Sequence, residues 1–98
     1  MVIDDDESIR FVLNHLFSKN GFKVATLAKA DAAFNVIDVF KPDVILLDIK
    51  LDQLDGRDIS IELKANEETK NIKIVLFSGF VLDEAECIDY GADDFICP

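Results

Sequence analysis

Short apolar runs alternate along the chain with longer segments in which apolar residues recur every three or four positions. The short runs have the length and composition of buried strands, and the longer segments have the periodicity of amphipathic helices. Such alternation is typical of βα units that build a parallel sheet covered by helices. The sequence therefore predicts an α/β fold with a doubly wound parallel sheet.

The pattern predicts five strands and four helices. The strands cover residues 1–3, 22–26, 44–47, 72–77 and 95–97. Two helices carry apolar stripes, at residues 9–17 and 33–40, and two weaker ones cover residues 56–66 and about 83–89. Asn20-Gly21 ends the first helix, and Pro42 ends the second because the residue before a proline disfavours the helical conformation.

The third strand marks the centre of the predicted sheet. Val44 to Leu47 are apolar without interruption, which predicts burial on both faces, and Asp48 is the first charge after them. Right-handed crossovers with the strand order 2-1-3-4-5 then place the first, third and fourth strands side by side.

Acidic and hydroxyl side chains follow these three strands. Asp4 and Asp5 come after the first strand, Asp48 after the third and Ser78 after the fourth, so the four side chains converge on one edge of the sheet. Two carboxylates about 4 Å apart repel by about 4 kcal/mol at an effective dielectric constant of about 20. A cluster of three needs a cation, and hard oxygen ligands suit Mg²⁺.

An acidic run after a strand also has an ordinary explanation. Asp and Glu stabilise the first turn of a helix by capping free N–H groups and by their interaction with the helix dipole. We prefer that interpretation for Asp6 and Glu7. For Asp4 and Asp5 we prefer a site, because Asp48 ends the neighbouring strand.

The net charge of -10 and the hydrophobic content of 50% limit the function further. An acidic chain has no excess of basic residues to neutralise nucleic-acid phosphates or an anionic membrane, so direct binding of either is not expected. No apolar run approaches the roughly 20 residues of a membrane helix. The chain opens on its first strand without a secretory signal, which favours the cytoplasm.

Five blocks of the sequence match a known family. They are VIDDD at 2–6, KPDVILLD at 41–48, LDG at 54–56, LFSG at 76–79 and GADDF at 91–95. In this order and spacing they resemble response-regulator receiver domains of two-component systems. The resemblance implies a flavodoxin-like, CheY-like fold over residues 1–98, with five strands in the order 2-1-3-4-5. The family's final helix is absent, so the domain looks truncated at its C-terminus.

The resemblance also implies a role for each acidic residue. Asp48 would be the phospho-acceptor and Asp5 a direct Mg²⁺ ligand. Asp4 would act through ordered water, and the backbone carbonyl of Lys50 would be a further ligand.

Two further positions match the switch residues of the family. Ser78 corresponds to the hydroxyl that binds the phosphoryl group, and Phe95 to the aromatic ring that turns inward in concert. Without the resemblance, Ser78 would be an ordinary turn hydroxyl and Phe95 a core ring.

The implied donor is a histidine kinase or a histidine phosphotransfer protein, and a homodimer is left open. Catalysis would be limited to self-phosphorylation and slow self-dephosphorylation, so we do not expect an enzyme acting on a separate substrate.

The chain departs from the family near its end. Cys97 precedes Pro98 where the family has a lysine that pairs with the acceptor, and the segment 79–91 is shorter than the corresponding segment of the family. The Lys50 side chain is either a replacement cation or an ordinary surface lysine. These departures keep a second hypothesis open, a pseudo-receiver that binds partners without phosphorylation.

A hydrolase with an aspartyl-phosphate intermediate is a third hypothesis. Such enzymes usually carry a second Asp two residues after the nucleophile, where this chain has Lys50, and the chain has no cap domain to bind a substrate. We therefore rank it below the other two.

Overall fold

The computed structural model describes residues 1–51, 54–78 and 91–96. Helices and strands alternate as the sequence predicts. The helices are α1 (Glu7–Lys19), α2 (Ala33–Phe40) and α3 (Gly56–Ala65), with a 3₁₀ turn at Ala30–Ala32 before α2. The strands are β1 (Val2–Ile3), β2 (Thr26–Leu27), β3 (Val44–Asp48), β4 (Lys50–Leu51), β5 (Leu54–Asp55), β6 (Lys73–Phe77) and β7 (Asp94–Ile96).

Five of the strands form one parallel sheet in the order β2-β1-β3-β6-β7. Among the residues that the structure describes, the short strands β4 and β5 pair only with each other, so the main sheet has the predicted order 2-1-3-4-5. Ile3 lies opposite Leu47 in the sheet, and Asp48 lies opposite Phe77. This topology confirms the doubly wound, flavodoxin-like fold.

The central strand is less evenly buried than its sequence predicts. Ile45 and Leu47 are completely buried, and so are Ile74 and Leu76 on β6. On the other face of β3, however, Val44 is 40% exposed and Leu46 is only half-buried. The prediction of complete burial on both faces was therefore wrong for one face, where the described elements cover the sheet only in part.

Helix α1 begins with the cap that the acidic run predicts. Asp6 is the N-cap residue, and its Oδ1 accepts hydrogen bonds from the backbone N–H groups of Ser8 at 2.8 Å and Ile9 at 3.3 Å. These bonds satisfy two of the N–H groups that a helix start leaves free. Glu7 lies in the first turn, where its charge favours the helix dipole. Asp6 therefore has a structural role.

The apolar stripe of α1 is only partly covered. Leu13 and Phe17 are half-buried, whereas Val12 and Leu16 are 58% and 50% exposed, and α1 has no fully buried residue. The helix packs on β1 and β2 with a narrower face than its sequence predicts.

The second strand starts later than predicted. The sequence favours a strand over residues 22–26, but β2 spans only Thr26–Leu27. Phe22 instead closes the end of α1, because its N–H donates to the carbonyl of Phe17 at 3.0 Å and the two rings meet edge to face. Hydrogen bonding to β1 begins at Ala25, whose carbonyl accepts from Val2.

The predicted helix near residues 83–89 lies outside the described residues, as do Cys97 and Pro98 at the end of the predicted fifth strand. Within 1–51, 54–78 and 91–96, none of the helices has both the length and the apolar character needed to span a membrane.

Candidate metal centre

Strand register brings three carboxylates together at the carboxyl edge of the sheet. Because Ile3 lies opposite Leu47, the next residues, Asp4 and Asp48, emerge level with each other from adjacent strands. Asp5 follows Asp4 in the turn before α1. One oxygen atom from each of Asp4, Asp5 and Asp48 can be chosen so that all three lie within 4.8 Å of one another. The convergence that the sequence predicts for these residues is therefore present.

Asp4 is fully buried, and one of its carboxylate oxygens lacks a hydrogen bond within residues 1–51, 54–78 and 91–96. Its Oδ1 accepts a hydrogen bond from the backbone N–H of Asp6 at 2.9 Å, and the Arg10 guanidinium binds its backbone carbonyl at 2.9 Å. Its Oδ2 is also buried and finds no hydrogen-bond partner in the part of the chain that the structure describes. A buried oxygen that lacks a partner costs free energy, so this atom fits a place beside a cation or a water molecule that the cation holds.

The acceptor candidate, Asp48, lies beside Asp4 and is 6% exposed. Burial, chiefly, and the neighbouring Asp4 carboxylate raise the pKa of Asp48 to about 7. The Lys50 N–H, which donates to Asp48 Oδ1 at 3.2 Å, opposes this rise. Burial also raises the pKa of Asp4. Too little positive charge surrounds these carboxylates for them all to be fully ionised at neutral pH, unless a cation binds.

The donor set fits a hard divalent cation. Three carboxylates supply oxygen atoms within 4.8 Å of one another; Asp4 and Asp48 are buried, and Asp5 is exposed to solvent. Magnesium prefers such oxygen ligands and keeps several water molecules when it binds. These residues could hold Mg²⁺ at the mouth of the site.

Ser78 lies at the same edge of the sheet. It follows β6, whose last residue, Phe77, pairs with Asp48 and accepts a hydrogen bond from the Ile49 N–H at 3.0 Å. Ser78 is 8% exposed, one residue beyond this pair. The structure thus places the hydroxyl residue next to the carboxylate strand, whereas its switching role stays a prediction.

Phe95 and Lys50 lie at different depths. Phe95 pairs with Leu76 across β6 and β7, and its half-buried ring packs against the hydrophobic core. Lys50 is exposed and pairs with Asp55 between β4 and β5. Both roles stay predictions, and so does the choice between a replacement cation and a surface lysine for Lys50.

The sequence pattern did not predict the short β4–β5 pair, which lies between Asp48 and the start of α3 in the chain. Asp55 ends β5 and caps α3 by accepting from the Arg57 N–H at 2.9 Å, and the Arg57 guanidinium binds the same carboxylate. This interaction holds the pKa of Asp55 below its usual value. The sequence signal for this helix cap was an Asp residue directly before the helix that is predicted to begin at Gly56.

The chain matches a family model described as the response regulator receiver domain, over residues 1–97. It is 31% identical over 96 residues to a probable transcriptional regulator, ycf27, of Guillardia theta, which covers 98% of this chain but only 37% of that relative. It is also 30% identical over 80 residues to sporulation initiation phosphotransferase F of Bacillus subtilis, covering 82% of this chain and 63% of the relative.

The fold of a solved relative agrees with these matches. The BeF3-activated N-terminal receiver domain of Klebsiella pneumoniae RstA superposes with a TM-score of 0.85 at 27% identity, covering 98% of this chain and 81% of that domain. The sequence match, the strand order and the acidic cluster therefore agree. The chain belongs to the response regulator receiver domain family of two-component systems.

Proposed function

We propose that this chain accepts a phosphoryl group on Asp48, with Mg²⁺ bound by Asp5, by Asp48, by the backbone carbonyl of Lys50 and, through water, by Asp4. The phosphorylated form would then signal through a change in conformation. The proposal rests chiefly on one observation, the convergence of the Asp4, Asp5 and Asp48 carboxylates at one edge of the sheet.

The chemistry requires Asp48 as a carboxylate nucleophile. An oxygen of Asp48 attacks the phosphorus of a phosphohistidine, the new O–P bond forms, and the N–P bond breaks as the imidazole leaves with the electron pair. The pKa of about 7 means that Asp48 must release a proton before it can attack. When bound, Mg²⁺ supplies positive charge that neutralises the carboxylates and the transferred oxygens.

The other groups act on orientation and on the response. The Lys50 N–H bond to Asp48 Oδ1 holds the carboxylate at the edge of the sheet. In the proposed function Ser78 binds the phosphoryl group, and the ring of Phe95 turns inward in concert. Catalysis is confined to the chain's own phosphorylation and its slow reversal.

The names of the relatives agree with this proposal. One is a phosphotransferase of sporulation initiation, and the solved RstA domain was activated with BeF3, a tetrahedral mimic of a phosphoryl group. For this chain we propose a cytoplasmic histidine kinase or histidine phosphotransfer protein as the donor. A homodimer stays a prediction.

The test is the intact mass of the protein after incubation with phosphoramidate, with and without Mg²⁺. We expect the wild type to gain one phosphoryl group only when Mg²⁺ is present. Asp48→Asn keeps the shape of the side chain but removes the nucleophile, so it should gain none. Asp6→Asn alters a helix cap and leaves the three carboxylates in place, so it should still gain one phosphoryl group.

Each other outcome has a definite meaning. A wild-type protein that gains no phosphoryl group under any condition would contradict the proposal and favour the pseudo-receiver. A phosphoryl group that persists in Asp48→Asn would place the acceptor elsewhere. Continuous turnover of a phosphate monoester would instead support an aspartyl-phosphate hydrolase.

A further inference from the structure

The first residue of α3 lies in direct contact with the main chain of Asp48. A Cβ atom built on Gly56 would come within 2.9 Å of the Asp48 carbonyl carbon and 3.0 Å of Ile49 Cα, and closer still to the Asp48 carbonyl oxygen. Ordinary contacts between carbon atoms are about 3.5–4.0 Å long. No residue larger than glycine fits here unless α3 or the acceptor strand moves.

Space, rather than backbone conformation, requires glycine at this position. Gly56 begins a regular helix, and its φ is not in the left-handed region. Gly21 has the opposite character, because its φ of 89° favours glycine while a Cβ atom there would meet nothing within 4 Å. Close packing therefore requires glycine at position 56, whereas the backbone conformation favours glycine at position 21.

Gly56 is fixed to the acceptor segment by a hydrogen bond as well as by contact. Its N–H donates to the carbonyl of Ile49 at 2.8 Å, and the Ile49 N–H in turn donates to Phe77 on β6 at 3.0 Å. The Lys50 N–H then binds the carboxylate of Asp48. The start of α3 thus holds the three residues that carry the acceptor carboxylate and the proposed carbonyl ligand.

We infer that Gly56 is a positioning residue for the metal centre: its lack of a side chain allows α3 to hold the main chain of residues 48–50 where the Asp48 carboxylate meets Asp4 and Asp5. The consequence for phosphorylation rests on the proposed function. The consequence for metal binding follows from the three-carboxylate cluster alone.

Gly56→Ala tests this inference in the unphosphorylated protein. The added methyl group must shift α3 or the peptide after Asp48 by roughly 1 Å, which is enough to separate ligand atoms that act together. We expect the Mg²⁺ dissociation constant, measured by calorimetric titration below the melting temperature, to rise about tenfold or more. The rate of phosphorylation at saturating Mg²⁺ should also fall about tenfold.

Two variants serve as controls, one for a loss of stability and one for a change within α3. Gly21→Ala strains a left-handed residue without a steric clash, so it should lower the melting temperature while the Mg²⁺ dissociation constant stays within about twofold. Ser60→Ala changes a buried residue one turn further along the same helix and should also leave Mg²⁺ binding unchanged. Wild-type affinity in Gly56→Ala, or an equal loss in Gly21→Ala, would overturn the inference.

Variants of Asp55 decide the question if Gly56→Ala does not fold. Asp55→Asn keeps a cap residue and removes the charge, whereas Asp55→Ala removes the cap that anchors the start of α3. We expect Asp55→Ala to bind Mg²⁺ about threefold more weakly than Asp55→Asn, and equal affinities would overturn the inference.

The two proposals can fail separately. A wild-type protein that binds Mg²⁺ but takes no phosphoryl group would contradict the proposed function, and the Mg²⁺ affinities would still decide the role of Gly56. A wild-type protein that binds no Mg²⁺ would overturn both.

Discussion

The ammonium group of Lys64 lies 2.6 Å from the carboxylate of Asp93, which joins the end of α3 to the residue before β7. Lys64 also donates to the carbonyls of Ile72 at 2.8 Å and Lys70 at 3.2 Å. Asp93 Oδ2 accepts from the Ile74 N–H at 2.8 Å. One lysine and one aspartate therefore connect α3, β6, β7 and the turn before β6.

Lys64→Met should lower the free energy of unfolding by about 1–2 kcal/mol at pH 7, because it removes several hydrogen bonds from a half-buried ammonium group. The measurement is the urea midpoint. Lys70→Met is the matched control: its pair with Glu67 is exposed, so its loss should change stability by less than about 0.5 kcal/mol. Equal effects of the two substitutions would contradict this account.

The same pair predicts a pH dependence. The Lys64 hydrogen bond holds the pKa of Asp93 below its usual value, so the folded state favours the charged carboxylate. This stabilisation is complete above the pKa of the unfolded chain, near 3.8, and is lost as the pH falls through the lower folded pKa. The difference between wild type and Lys64→Met should therefore shrink below about pH 4. A difference that stays constant to pH 2 would exclude this cause.

Asp48→Asn should stabilise the metal-free protein at pH 8. The folded pKa of Asp48, about 7, is above its usual value of 3.8, so folding favours the protonated acid and wild-type stability falls as the pH rises between these values. Each pKa unit corresponds to about 1.4 kcal/mol, which predicts a gain on the order of 2–4 kcal/mol. Denaturant unfolding at pH 8 and pH 4 measures it.

Two further observations should accompany that gain. It should be small at pH 4, where Asp48 is protonated in the folded protein, and Mg²⁺ should stabilise the wild type more than Asp48→Asn. Asp5→Asn, at an exposed member of the cluster, should produce little of the effect. An Asp48→Asn protein that is no more stable than the wild type at pH 8 would show that the cluster bears no electrostatic strain.

Removal of either of two buried hydroxyl groups near α3 should change the free energy of unfolding, but in opposite directions. Ser60 is fully buried on α3, and its Oγ has no hydrogen-bond partner among the described residues. Thr69 is also buried, but its Oγ1 donates to the carbonyl of Leu63 at 2.6 Å. Removing an unpaired hydroxyl group relieves a desolvation penalty, whereas removing a paired one leaves a buried carbonyl without its donor.

We therefore expect Ser60→Ala to raise the free energy of unfolding by about 0.5–1 kcal/mol and Thr69→Val to lower it by about 1–2 kcal/mol. Thermal and urea unfolding give both values. A destabilised Ser60→Ala would mean that this hydroxyl group has a partner.

The parts of the fold that the sequence predicted depend on local patterns. Strand order followed from alternating βα units, and the carboxylate cluster followed because Asp4 and Asp48 end strands that this order makes neighbours. The Asp6 cap was likewise visible from its place before the apolar stripe of α1. Such features depend on residues close in sequence or on a general rule of topology.

The features that the sequence missed depend on tertiary contacts. β4 and β5 have two residues each, too few for any periodicity, and the contact of Gly56 with Asp48 exists only once α3 packs against β3. The run that begins at Phe22 has strand-like composition, but the ring of Phe22 packs edge to face against the ring of Phe17. Local propensity could not predict these outcomes because contacts that form only in the folded chain decide each of them.

The central claim is that Asp48, and neither of its acidic neighbours, receives the phosphoryl group. Reductive trapping tests it most directly: the protein is incubated with phosphoramidate and Mg²⁺, the acyl phosphate is reduced with borohydride, and the modified residue is identified by peptide sequencing in a mass spectrometer. We expect Asp48 alone to be converted to homoserine, and only in samples that contained Mg²⁺. Conversion of Asp4 or Asp5, or no conversion at any residue, would contradict it.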